Sequence, residues 1–169
     1  MTDYEPLSEE QKRDNVTRLV FGGDRDRLEA FCEVIRRAIP ERTAVVLRGS
    51  AVTGQRWNDQ APFDADGPGT SDLDLTLVGP EAVKLFKLTG FFVPGVHSRP
   101  VSDDDPEIAP DLVPLRERLM AMVGRPVNIQ ASRDIVIQFR GDLLGQPYLV
   151  LIERPPEASV EASPENPLV

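Results

Sequence analysis

The sequence predicts one α/β (α+β) domain, a small mixed β-sheet of about four to five strands flanked by helices. Three observations carry this expectation. The chain has 169 residues, 40% of them hydrophobic, enough for a single core. Apolar residues between Asp24 and Ile39 recur at helical spacing. Between Ser71 and Val78 apolar and polar residues alternate, which is the strand period.

The elements follow in chain order. The opening MTDYEPLSEEQKRD is polar and acidic, so residues 1–15 are expected to be a flexible start to a domain spanning 1–154. Such a start resembles neither a secretory signal nor a transit peptide. In Asp24–Ile39, Leu28, Phe31, Cys32, Ile35 and Ile39 share one helix face, Asp24 suits the N-cap and Pro40 stops the helix. Thr43–Leu47 (TAVVL) is a β-branched run that reads as a buried strand, ending at Arg48-Gly49-Ser50. Ser71–Val78 (SDLDLTLV) is a strand with Leu73, Leu75 and Leu77 on one face and Asp72, Asp74 and Thr76 on the other. Gly79-Pro80 opens a short helix over Glu81–Leu88. Asp111–Val123 is a helix with Leu112, Leu115, Leu119 and Met122 on one face and Gly124 as its stop. Val127–Ala131 and Tyr148–Ile152 are strands; Asp134–Leu144 between them is ambiguous and is assigned to helix. Five of the 16 prolines fall between Pro94 and Pro114, which predicts a long loop, ordered at least in part. Four more lie in the last fifteen residues, so 155–169 is expected to be a disordered tail.

Composition excludes several functions. With 28 acidic against 19 basic residues the net charge is −9, which disfavours a broad nucleic-acid surface. The single cysteine permits no internal disulfide, and the single histidine no two-histidine metalloprotease helix. No apolar run is long enough to cross a bilayer, so the expected location is the cytoplasm. Neither a G-x-x-x-x-G-K-[ST] loop nor a G-x-G-x-x-G after a strand is present.

The chemistry is carried by VVLRGSAVTG and SDLDL. Aspartate is disfavoured in strands, yet Asp72 and Asp74 sit at i and i+2 with leucines around them. That spacing puts both carboxylates on one face, where their repulsion calls for a positive partner. Magnesium ions held by hard oxygen ligands supply that charge and clamp a transferring phosphoryl group. Upstream, Gly49-Ser50 lies where a strand ends and a helix starts. Glycine lets a phosphate approach the backbone, and the serine hydroxyl adds a donor. Together they suit a nucleoside triphosphate (NTP) with Mg2+ or Mn2+.

The order Gly49-Ser50-Ala51-Val52-Thr53-Gly54, then Ser71-Asp72-Leu73-Asp74-Leu75, resembles the signature of the polymerase-β-like nucleotidyltransferases. It is most similar to their minimal nucleotidyltransferase domains, over about Ala44 to Ile152. The resemblance implies a small mixed sheet flanked by helices. It implies transfer of a nucleoside monophosphate to an acceptor hydroxyl or phosphate, with release of pyrophosphate; the acceptor, a small molecule or a protein, is not named by the sequence. It implies that Gly49 and Ser50 hold the β/γ phosphates and that Asp72 and Asp74 bind magnesium.

The chain departs from that pattern twice. QRWNDQAPFDADGPGT replaces a short turn before Asp72 and carries Arg56, Trp57, Asp64 and Asp66, as a lid or an acceptor-binding element. The third carboxylate expected on a later strand is Asn128, within Arg125-Pro126-Val127-Asn128. An amide oxygen still ligates magnesium but carries no charge and is no base. The alternative is therefore a nucleotide-binding or regulatory module with impaired turnover that partners another protein.

Other residues have plainer readings. Cys32 is expected to be a core thiol and His97 a surface residue of the proline-rich loop. Arg48 pairs with a phosphate or with an aspartate, and Trp57 packs a loop or stacks on a base; both choices stay open. Asp103-Asp104-Asp105 is expected to be a solvated loop rather than a metal site.

Overall fold

Leu73, Leu75 and Leu77 all point from one face of a central strand into the core, each about 1% exposed. The computed structural model describes residues 5–133 and 146–154. The helix expected over Asp134–Leu144 and the tail over 155–169 lie outside the described residues. Two helices come first, α1 (Glu9–Phe21) and α2 (Arg25–Ala38). Strand β1 (Ala44–Arg48), a single helical turn α3 (Ser50–Thr53) and β2 (Leu73–Val78) follow. Next come a short α4 (Pro80–Val83), the small strands β3 (Phe91–Val93) and β4 (His97–Ser98), α5 (Val113–Val123), β5 (Val127–Ser132) and β6 (Tyr148–Ile152). The sheet order is β3-β4-β5-β2-β1-β6, with only the β2–β5 pair parallel. The expected mixed sheet with flanking helices is therefore observed, widened by the two short strands of the proline-rich segment.

α2 forms as its periodicity predicts. Asp24 Oδ1 accepts from the amides of Asp26 and Arg27, and Leu28, Phe31, Cys32 and Ile35 enter the core. Burial pushes the Cys32 thiol pKa up to about 11, as expected of a core cysteine.

α1 was not anticipated, since residues 1–15 read as flexible. Its start is a capping box, with Ser8 Oγ accepting from Gln11 N and the Gln11 side chain accepting from Ser8 N. Val16, Val20 and Phe21 anchor it to the core. Its basic side chains do something further. Lys12 Nζ donates to Tyr148 O and an Arg13 guanidinium nitrogen to Val150 O, so carbonyls of the edge strand β6 are covered.

α4 is shorter than the helix expected over Glu81–Leu88. Lys87 N donates to Ile108 O rather than to its own helix, so the chain turns away. The proline-rich segment is ordered by such contacts. Val101 exchanges backbone hydrogen bonds with Ile129 of β5, and the buried Arg116 joins Asp103 (2.7 Å) to Val127 O (2.6 Å). The expectation of a surface His97 is corrected. His97 is buried in β4, its Nδ1 3.0 Å from Ser132 Oγ. The Asp103-Asp104-Asp105 run lies in a loop, with Asp103 and Asp105 paired to Arg116 and Arg99. Among the described residues no helix is long and apolar enough to cross a membrane.

Packing of this segment is tight at Gly90, where a Cβ would lie 2.7 Å from Ile108 Cβ. Gly90→Ala is expected to destabilise the fold by roughly 1–3 kcal/mol through overpacking, read as a lowered urea midpoint.

Candidate functional site

Three strands bring the motif residues into one row. β1 runs antiparallel to β2 and pairs Arg48 with Asp74; β2 runs parallel to β5 and pairs Asp74 with Asn128. The C-terminal end of β1 therefore meets the start of β2 and the start of β5. Side chains at paired positions share a face, so Arg48, Asp74 and Asn128 stand side by side. Asp72, two residues before Asp74, lies on the same face.

The two carboxylates converge. Asn128 Nδ2 donates to Asp72 Oδ2 at 2.9 Å and to Asp74 Oδ1 at 3.3 Å. The amide thus occupies the position between two acids where the sequence calls for positive charge. Asp74 has its pKa raised, first by burial and then by the negative charge of Asp72; the Asn128 hydrogen bond and the Arg48 charge oppose the rise. Arg48 is the register partner of Asp74, and its charge acts to lower the Asp74 pKa.

The Gly49-Ser50 bend abuts this pair. Gly49 has φ 100° and ψ −164°, a conformation that L side chains rarely adopt, and a Cβ there would sit 3.6 Å from Asp74 Oδ2. The expected strand-to-helix turn is present, but α3 is a single turn, so its dipole adds little. What the bend offers is approachable backbone and the half-buried Ser50. α1 holds α3 in place, with Asn15 Nδ2 donating to Val52 O at 2.9 Å.

The insert splits into two parts. Asp64 takes a two-point ion pair from Arg125 at 2.8 and 3.1 Å and accepts from Ser71 N and Gly69 N. Ser71 Oγ accepts from Asp64 N in return, and the Arg125 guanidinium lies 4.5 Å over the Phe63 ring. This clamp fixes the chain immediately before Asp72. It also adopts a role that the sequence reading assigned to neither Asp64 nor Arg125. Asp66 pairs with Arg56 and does not reach the acids. The other part, Gln55 to Pro62, is a small hairpin that carries Trp57.

As a metal site, the donors suit one nucleotide-bound divalent ion, which magnesium takes from one or two carboxylates plus phosphate oxygens. Asp72 and Asp74 supply the carboxylates, and a reversed Asn128 amide would supply a neutral oxygen. A third acid is missing, and among the described residues no group of three or more His, Cys, Asp or Glu side chains is placed to hold a metal. No family model, curated protein or solved structure matches the chain.

The clamp has a pH signature. Arg125 first, then the backbone donors of Ser71 and Gly69, hold the Asp64 pKa down at about 2, against an ordinary 3.8. The pair therefore stabilises the fold fully above pH ~4, and that contribution fades as pH falls towards 2. Asp64→Asn keeps a residue tolerant of the positive φ of 58° but removes the charge. Urea midpoints of parent and variant are expected to differ most above pH ~4 and to converge on acidification.

Proposed function

We propose that the chain is a magnesium-dependent nucleotidyltransferase, moving a nucleoside monophosphate from an NTP to an acceptor hydroxyl or phosphate. The observation that carries this is the convergence of Asp72 and Asp74 at Asn128 with the Gly49 bend against Asp74. Polymerase-β-like nucleotidyltransferases, which the motif order resembles, perform this reaction.

Each residue has a part. Asp72 and Asp74 hold the divalent ion, which when bound neutralises the triphosphate. Gly49 gives the β/γ phosphates room at the backbone, and Ser50 donates a hydroxyl hydrogen bond. Arg48 offsets part of the negative charge around Asp74. In the transfer, an acceptor oxygen bonds to the α-phosphorus, the α–β anhydride bond breaks and pyrophosphate leaves; the proton of a hydroxyl acceptor passes to solvent water. Asn128 cannot take the acceptor's proton, so its part is to orient the two acids.

That last point favours a second reading, a nucleotide-binding module of low turnover. A carboxylate at position 128 would repel Asp72 and Asp74, whereas the amide bonds to both. The two readings share a binding site and differ in rate.

Incubation with α-labelled NTPs, Mg2+ or Mn2+ and a panel of acceptors is expected to transfer label, and Asp72→Ala to abolish transfer. Label that stays on the NTP with every acceptor would leave the low-turnover module. Asn128→Asp separates the two further. Without divalent ions the variant should melt below the parent, since three acids then crowd one point, and Mg2+ should restore the loss. If the missing acid limits turnover, the variant gains roughly 10²-fold in rate.

A further inference from the structure

Trp57 has no place in the chemistry above, yet its setting is specific. It is 52% exposed, the indole ring standing on the Gln55–Pro62 hairpin instead of packing in the core. The hairpin is held firmly. Arg56 N donates to Ala61 O at 2.7 Å, Gln60 N to Arg56 O at 3.0 Å, and Phe63 N to Gly54 O at 3.0 Å. Thr53 Oγ1 donates to Gln55 O at 2.7 Å, which fixes the corner between α3 and the hairpin. The Arg56 guanidinium is anchored to Asp66 and Asp59. An exposed tryptophan on a braced hairpin is a preformed surface.

Two adjoining clefts meet at this ring. One, of about 290 Å³, is lined by Thr53, Gln55, Arg56, Trp57 and Gln60. The other is lined by Gly49, Thr53, Gln55, Trp57, Gln146 and Pro147. They share Thr53, Gln55 and Trp57, and the second reaches Gly49, where a Cβ would lie 3.6 Å from Asp74 Oδ2. In a chain of net charge −9, no carboxylate among the described residues lines either cleft. The described lining is an aromatic face, neutral amide groups that both donate and accept, and the Arg56 cation. That combination suits a flat heteroaromatic ring with hydrogen-bonding edges.

We propose that Trp57 is the stacking platform for the nucleobase of the bound NTP, with the side-chain amides of Gln55 and Gln60 offering hydrogen bonds to its edge. This rests on the nucleotide reading above and adds where the base lies. Stacking area makes a purine the tighter ligand and a pyrimidine the weaker. The insert before Asp72 thus contributes to nucleotide recognition as well as bracing the acids.

Trp57 is the only tryptophan, so emission excited at the red edge of the indole band, where the two tyrosines do not absorb, reports on this ring alone. Titration of ATP, GTP, CTP and UTP with Mg2+ is expected to change the emission, with purines binding more tightly. Magnesium tripolyphosphate, which has no base, should bind more weakly and leave the emission nearly unchanged. By calorimetry, Trp57→Ala should weaken NTP binding about tenfold and leave tripolyphosphate binding unaltered, and Trp57→Phe should recover part of the loss. Equal binding of tripolyphosphate and NTPs, with Trp57→Ala without effect on either, would overturn the platform while leaving the phosphate site standing. Failure of the parent to bind any of these ligands would overturn the nucleotide reading and the platform with it. A melting curve for Trp57→Ala matching the parent's shows that a loss of affinity is not a loss of fold.

Discussion

Two like charges held at one point are the constraint around which this molecule is organised. Asp72 and Asp74 leave the same face of adjacent sheet positions, and Asp74 is partly withdrawn from water. Such a pair persists only with donors or cations close by. The fold supplies them from both flanking strands, Arg48 from β1 and the Asn128 amide from β5. Strand register is therefore an electrostatic matter here: a slip of one residue would turn every member of the row to the opposite face. Leu73, Leu75 and Leu77 resist that slip from the other side, since it would drive carboxylates into the core.

The surrounding elements serve this row. α1 reaches α3 through Asn15, and α3 begins at the bend beside Asp74. The ion pair of Asp64 with Arg125 ties the segment before Asp72 to the segment before Asn128, so the two entry points to the row move together. Arg125 is also bonded to Ser71 O at 2.9 Å. A partly buried two-point carboxylate–guanidinium pair is geometrically exacting and suits such a brace. The Asn128 amide bridges the two acids, with one hydrogen bond to each.

Much of the frame was legible in the sequence because it rests on local pattern. The helical spacing of Leu28, Phe31, Cys32 and Ile35 and the alternation of Leu73, Leu75 and Leu77 are strong periodic signals. The convergence of the acids followed from the two-residue repeat of a strand, and the bend from Gly49. What was missed depends on partners distant in the chain. α1 has only a few core residues and a polar start, although Ser8 and Gln11 spell a capping box and Val16 and Val20 are one turn apart. His97 looked exposed among prolines because the pairing of β4 with β5 is a long-range event. The Asp64 clamp required knowing that Arg125, 61 residues later, lies alongside. Nothing in the local sequence separates Asp64, which braces the site, from Asp66, which pairs with Arg56.

The cover that Lys12 and Arg13 place on β6 has a consequence for the chain as a whole. An uncovered outer strand is a template on which another chain can lay its own backbone. Two long cations bonded to its carbonyls occupy those positions and bring charge that a docking strand would have to displace. Lys12 and Arg13 thereby make that edge a poorer template for a second chain. Shortening the chain from that end would remove a brace on the bend at Gly49 and, at the same time, unseal the border of the sheet.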